Sequence, residues 1–133
     1  MYSDNSNLIK KFEKMISDDS SIFLDTDEVE EIILYYFNEG DIMMAEKAVE
    51  LGNNLYPNSV NINILYSEIL ILKGEITESY DLIDDMLSIN KNSQDLLFQK
   101  CKILTKLKKY KESISILKDI PKSDQLSFFV LDL

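Results

Sequence analysis

Apolar and polar residues follow one another along this chain with the period of an α-helix. The apolar residues of the first clear element are Val29, Ile32, Ile33, Tyr36 and Phe37. Their i, i+3, i+4, i+7, i+8 spacing places them on one stripe of a helix. Asp25 is a suitable N-cap for this helix, with Glu28 as its capping-box partner. Gly40 is suited to end it, because glycine adopts the left-handed conformation without the steric cost of a Cβ.

A second helix is predicted directly after this turn. Its stripe consists mostly of small residues: Ala45, Ala48, Val49, Gly52 and Leu55. Small side chains let a partner helix approach closely, as an antiparallel pair joined by a short turn requires. Pro57 marks the end of this helix. The pattern therefore predicts a helix-turn-helix unit.

The same unit returns with an offset of 34 residues, which takes Gly40 to Gly74 and then to Lys108. A fixed period of about 20 to 50 residues indicates a repeat protein. The predicted units are repeat 1 at residues 26–59, repeat 2 at 60–93 and a degenerate repeat 3 at 94–127. An N-terminal helix with its lead-in (1–25) precedes them and an apolar tail (128–133) follows, and we expect a single domain.

The remaining helices carry the same signals. Ser59 is a suitable N-cap for the first helix of repeat 2. The last pair is expected to run from Ser93 to about Leu107 and from about Tyr110 to Asp119. The N-terminal helix presents one stripe that should pack on the first repeat: Leu8, Phe12, Met15 and Ile16.

Composition agrees with an all-α protein and narrows the classes of partner. The 133 residues include 3 Gly and 2 Pro, fewer turn residues than a β-sandwich of this length needs. The formal net charge of −10 disfavours nucleic acid and anionic membrane surfaces as partners. A single cysteine cannot form an internal disulfide, and no apolar run approaches the roughly 18 residues of a membrane span. A cytoplasmic location is the expectation.

Catalytic or metal chemistry finds little support in the sequence. The chain has no histidine, the commonest general base. Cys101 lies in an apolar stripe and is predicted to be a buried core thiol. Residues 25–31 begin like a calcium loop, but Val29 stands where a ligand is needed. We expect a non-enzymatic protein with no cofactor and no metal.

The repeat resembles the tetratricopeptide repeat over residues 26–127. Gly40, Ala45, Gly52 and Pro57 stand at the turn, the two small positions and the proline of that motif, although its characteristic Trp is absent. The lead-in to the first repeat also resembles that of larger bacterial tetratricopeptide proteins. The resemblance implies a right-handed α-α superhelix whose first helices line a concave groove that binds peptides or protein segments.

The resemblance also assigns candidate groove positions. They are Glu30, Leu34, Phe37 and Asn38 in repeat 1, Ile64, Glu68 and Ile71 in repeat 2, and Phe98, Lys102 and Thr105 in repeat 3. The basic residues with which cochaperone members grip an acidic chain terminus are missing. The expected function is a non-enzymatic protein-interaction module or scaffold whose partner is a protein or peptide.

An assembly role is the alternative to this module. The chain would then be part of a longer repeat protein, or a homodimer formed through its apolar C-terminal end. The candidate residues of that end interface are Leu126, Phe128, Phe129 and Val130.

The charges along the chain are unevenly distributed. Residues 100–111 contain six lysines, while acidic residues crowd the early chain. The lysines interleave with apolar residues at helical spacing, which is typical of the solvated face of an amphipathic helix. We hypothesise that this basic surface pairs with acidic surface, either within the chain or head-to-tail between molecules.

Overall fold

The computed structural model describes residues 5–121 and shows seven α-helices, with no strand in that range. They are α1 (Ser6–Asp18), α2 (Thr26–Asn38), α3 (Ile42–Leu55), α4 (Val60–Leu72), α5 (Ile76–Ile89), α6 (Gln94–Lys106) and α7 (Tyr110–Lys118). The all-α prediction is confirmed. Helices α2, α4 and α6 begin 34 residues apart, and so do α3, α5 and α7.

Equivalent side chains cap the first helix of every repeat. Asp25 and Glu28 form a complete capping box, in which each side chain accepts a hydrogen bond from the other residue's backbone N–H. The Ser59 and Ser93 hydroxyls accept from backbone N–H groups three residues on, each at 3.3 Å. These bonds satisfy donors that have no partner within the helix. The predicted caps are therefore confirmed.

The turns between paired helices share one backbone geometry. Gly40 has φ +76° and Gly74 has φ +81°, as their role as helix stops requires. Lys108 occupies the same place in the third pair with φ +63°. In each turn the N–H of the following residue donates across the turn, for example from Lys109 to the carbonyl of Leu104 at 2.8 Å. A lysine thus adopts the conformation that favours glycine.

The described residues fall into two compact units that divide between Ile69 and Leu70, within α4. The first unit contains α1, α2, α3 and most of α4 around one apolar core. Phe12 of α1 is fully buried and its ring centroid lies 6.0 Å from that of Tyr36 on α2. The Tyr36 hydroxyl also donates to a Glu13 carboxylate oxygen at 2.7 Å. Helix α1 therefore packs on the first repeat.

Gly52 is the point of closest packing in the first unit. A Cβ at this position would lie 2.7 Å from Cγ1 of Val29 on α2, and 3.2 Å from a methyl carbon of Ile62 on α4. Real Cβ atoms essentially never come within 3.0 Å of another heavy atom. The lack of a side chain at Gly52 therefore lets α2 and α4 pack against the same face of α3.

The second unit is built around α5, α6 and α7. Leu96, Ile103 and Leu104 of α6 are fully buried, together with Ile83 of α5. Cys101 is buried as predicted, so the core-thiol interpretation is confirmed.

One prediction about the core is wrong. Leu55 was assigned to the buried stripe of α3, but it is 37% exposed. It is the last residue of the helix, and its side chain lines an open cleft beside the α3–α4 connection instead of the core.

Candidate partner-binding surface

The structure places the four candidate residues of repeat 1 on α2. Glu30, Leu34, Phe37 and Asn38 follow the i, i+4, i+7, i+8 spacing that keeps them on one face. Leu34 is 43% exposed, a large apolar side chain open to solvent between two polar residues of the same face. Asn38 is exposed, while Glu30 and Phe37 are half-buried. This face offers both apolar and acidic contacts.

The equivalent positions of the later repeats carry different chemistry. Ile64 and Glu68, in the first unit, are half-buried on α4. In the second unit Ile71, Phe98 and Lys102 are half-buried as well. Since these residues stand 34 positions from their counterparts, they occupy the same place in their own repeat.

Thr105 is the candidate whose side chain turns back on its own helix. Its hydroxyl donates to the Cys101 carbonyl at 2.8 Å and lies 3.2 Å from the Ser113 hydroxyl, which also donates to that carbonyl. Thr105 thus helps to join α6 to α7, although the residue remains exposed.

A cleft of about 580 Å³ lies beside the N-terminal end of the α2 face. Thr26, Asp27 and Glu30 form one wall, and the α3–α4 connection with its flanking residues forms the rest: Leu55, Tyr56, Pro57, Asn58, Ser59, Val60 and Asn61. The Tyr56 hydroxyl donates to the Leu24 carbonyl at 2.6 Å, which fixes this connection against the first unit. No pattern in the sequence predicts this cleft. The Pro57-Asn58-Ser59 sequence indicates a connection between two helices at this place, but it does not indicate that a cleft forms beside the connection.

Glu30 is the electrostatic focus of this cleft. Partial burial and, to a smaller extent, the negative charge of Asp27 raise the pKa of its carboxyl, while a hydrogen bond with Asn61 opposes the shift. Burial disfavours the ionised form because the carboxylate loses hydration, and a like charge adds repulsion. A cation placed between Asp27 and Glu30 would relieve that repulsion.

Within residues 5–121, no group of three or more His, Cys, Asp or Glu side chains could hold a metal ion. Burial raises the pKa of the Cys101 thiol, opposed in part by a hydrogen bond with the Ser113 side chain and by the charge of Lys100. The thiolate is the reactive form of cysteine, so this residue is poorly placed for nucleophilic chemistry.

None of the helices described over residues 5–121 is long and apolar enough to cross a membrane. The candidate end interface, formed by Leu126, Phe128, Phe129 and Val130, lies outside the described residues.

A comparison with protein-family models gives one match, which covers residues 34–120 of the chain. The matched family is described as anaphase-promoting complex, cyclosome, subunit 3. A search of curated proteins found no match. The matched segment takes in most of the helices that the 34-residue period relates to one another. Tetratricopeptide-like repeats of this kind are protein-interaction modules and are typically non-enzymatic. By its fold, its repeat period and this match, the chain belongs to the anaphase-promoting complex, cyclosome, subunit 3 family of tetratricopeptide-like repeat proteins.

Proposed function

We propose that this protein binds a segment of another protein along the first-helix faces of its repeats. In the first unit the binding surface consists of the α2 face with Glu30, Leu34, Phe37 and Asn38, together with Ile64 and Glu68 of α4. In the second unit it includes Ile71, Phe98, Lys102 and Thr105. The partner segment carries a basic side chain next to an apolar one.

The single observation that supports this proposal most strongly is the exposure of Leu34 beside the cleft. Interfaces gain most of their binding free energy from a few large side chains that become desolvated. Leu34 supplies an apolar contact, and Glu30, one turn earlier, borders the cleft with Asp27. A segment lying along α2 would therefore meet an apolar site and an acidic site about one helical turn apart.

The composition of the cleft explains the preference for a basic side chain. Lysine and arginine have apolar stems and charged ends. The stem would contact Tyr56, Pro57 and Val60, while the charged end would approach Asp27 and Glu30. An acidic segment would be repelled by the same two carboxylates.

A selection from a library of random peptides tests this function. We expect the enriched peptides to contain lysine or arginine close to a large apolar residue. The combined variant Glu30→Lys with Leu34→Ala should weaken their binding about tenfold or more, which corresponds to about 1.4 kcal/mol. Fluorescence anisotropy of a labelled selected peptide measures this change.

The matched control changes a surface elsewhere in the first unit. Lys47 and Glu50 are exposed on α3, and the variant Lys47→Glu with Glu50→Lys keeps the net charge. This variant should bind the selected peptide as the wild type does. Peptides that bind the α2 variant and the wild type equally would contradict the proposed surface.

A further inference from the structure

Four exposed lysines surround the turn between α6 and α7: Lys106, Lys108, Lys109 and Lys111. We call this surface the lysine turn. None of the four forms an ion pair with another residue in the described part of the chain. Lys100, in contrast, lies 2.8 Å from a carboxylate oxygen of Asp84 and 5.4 Å from the centre of the Tyr80 ring. Residues 100–111 therefore contain four exposed lysines that have no ion pair within residues 5–121, beside Lys100, which has partners in its own unit.

Lys108 is the least expected member of the lysine turn. Its φ of +63° is a conformation that disfavours side chains with a Cβ, and the two equivalent turns have glycine there. The fold alone would be better served by glycine. A strained position with a charged, exposed side chain is consistent with a function outside the fold.

The lysine turn adjoins two exposed apolar side chains of α7. Tyr110 is 54% exposed and Ile114 is 51% exposed, and their i, i+4 spacing puts them on the same side of the helix. Protein interfaces are enriched in aromatic residues and are surrounded by a polar rim. This surface has both parts.

The complementary surface lies in the first unit of the same sequence. Residues 1–69 contain 14 acidic residues against 4 lysines, whereas residues 70–133 contain 10 of each, so the whole net charge of −10 belongs to the first part. Many of these acidic residues lie in residues 18–31, which span the end of α1, the connection to α2 and the start of α2. Residues 18–25, which we call the acidic loop, carry Asp18, Asp19 and Asp25 and no lysine. Phe23 in the same loop is 78% exposed.

We propose that the lysine turn of one copy of the chain docks on the acidic loop of a second copy. The two surfaces have opposite charges, and each presents an exposed aromatic residue, Tyr110 on one and Phe23 on the other. Because the two surfaces differ, a single contact between two copies leaves one lysine turn and one acidic loop unoccupied, and further copies can bind there. This contact goes beyond the proposed peptide binding on α2.

The acidic loop fits the lysine turn better than the α2 cleft does. The acidic loop presents its aromatic residue, Phe23, to solvent, whereas the carboxylates of Asp27 and Glu30 border a cleft. The negative charge of the first unit also steers the approach of a positive surface over a distance of about 10 Å at about 0.1 M salt, and over a longer distance at lower salt. Association should therefore weaken as the salt concentration rises.

Sedimentation analysis of the wild-type chain is the first test. At about 25 mM NaCl the average mass should rise with protein concentration, and at about 300 mM NaCl the association should weaken about tenfold or more. A wild type that remains monomeric at low salt and high concentration would overturn the proposal.

Two variants separate the two surfaces. The variant Lys109→Glu with Lys111→Glu reverses two charges of the lysine turn. The variant Asp18→Lys with Phe23→Ser reverses one charge of the acidic loop and removes its exposed aromatic side chain. Acidic residues at the start of α7 and a basic residue at the end of α1 favour those helices, so both variants are expected to fold. Circular dichroism checks this.

Each variant should be monomeric alone, and their mixture should form a dimer of one copy of each that grows no further. The mixture pairs the intact acidic loop of the first variant with the intact lysine turn of the second. Dimers of either variant alone would overturn the proposal in favour of another interface, such as the C-terminal end.

Two controls identify the occupant of the lysine turn. Glu30→Gln alters the α2 cleft and should leave association unchanged, whereas a loss of association would place the contact at the cleft and overturn the assignment to the acidic loop. A fluorescein-labelled oligonucleotide should not bind the wild type. Binding that the Lys109→Glu, Lys111→Glu variant abolishes would make nucleic acid the occupant instead.

Discussion

Each turn between paired helices has one residue in the left-handed conformation, and these equivalent residues are Gly40, Gly74 and Lys108. Gly40 and Gly74 adopt positive φ without strain, and a Cβ built on either would touch nothing within 4 Å. A larger residue at Gly40 or Gly74 would therefore lower stability because of its backbone conformation, not because its side chain would clash with a neighbour. Lys108 carries that conformational cost in the native protein.

Opposite substitutions at equivalent turns should shift stability in opposite directions. We expect Gly74→Ala to lower the free energy of unfolding by about 1 kcal/mol, because alanine resists positive φ. Lys108→Gly should raise it by about 0.5–1 kcal/mol, since relief of strain exceeds the added flexibility of the unfolded chain. Urea denaturation measures both.

The neighbouring Lys109 provides the control, because its φ is −91° and glycine relieves no strain there. Lys109 is the N-cap residue of α7, where glycine is well tolerated, so Lys109→Gly should change stability by less than about 0.5 kcal/mol. If Lys108→Gly does not stabilise the protein more than Lys109→Gly does, Lys108 is not strained in the native protein.

Individual residues differ in how well the sequence predicts them. Asp25 with Glu28 could be recognised because a capping box needs only local spacing. The interaction of Glu30 with Asn61 could not, since it joins residues 31 positions apart and depends on how two helices meet.

The helices themselves were largely predictable, because caps, stripes and turns recur at one period. Helices α6 and α7 end at Lys106 and Lys118, each within one residue of the expected end. The cleft beside α2 was not predictable. Its shape depends on the α3–α4 connection, which Tyr56 fixes through a contact with Leu24 rather than through any local pattern. Faces of helices follow from spacing, whereas clefts follow from tertiary packing.

Close packing of α3 against α2 and α4 can be tested at Gly52. Alanine in place of glycine within a helix normally gains about 0.5–1 kcal/mol. At Gly52 its Cβ would overlap Val29, whose branched side chain has little freedom to move, and overpacking typically costs about 1–3 kcal/mol. We expect Gly52→Ala to reduce the free energy of unfolding by about 1 kcal/mol.

A substitution at the exposed end of α3 separates packing from helix propensity. Asn54 is exposed, so Asn54→Ala should be neutral or slightly stabilising, within about 0.5 kcal/mol. Chemical denaturation of the two variants gives the comparison. A Gly52→Ala variant more stable than the wild type would show that α2 and α4 can move apart without loss.

For the molecule as a whole, the dominant electrostatic feature is the net charge of −10 that residues 1–69 carry. Like charges in a compact unit repel one another, and salt screens this repulsion. The same salt weakens attraction between oppositely charged surfaces of two copies. Folding and the proposed association should therefore respond to salt in opposite directions.

Thermal unfolding at a dilution where copies do not associate should reveal the first of these effects. We expect Tm to rise by a few degrees between about 20 and 300 mM NaCl, as repulsion within the first unit is screened. The variant Glu39→Gln with Glu50→Gln removes two exposed charges and should show a smaller rise. A fall in Tm with salt would mean that ion pairs such as Lys100 with Asp84 outweigh the repulsion.

The hydrogen bond from Tyr56 to the Leu24 carbonyl has an entropic consequence for the acidic loop. The loop is held at this point by that bond and by the fully buried side chain of Leu24, directly beside exposed Phe23. Ordering an interface side chain or loop on association costs about 0.5–1.5 kcal/mol for each mobile side chain. A backbone that is already fixed next to Phe23 loses less conformational freedom when a partner docks, so the contact there is preorganised before any partner arrives.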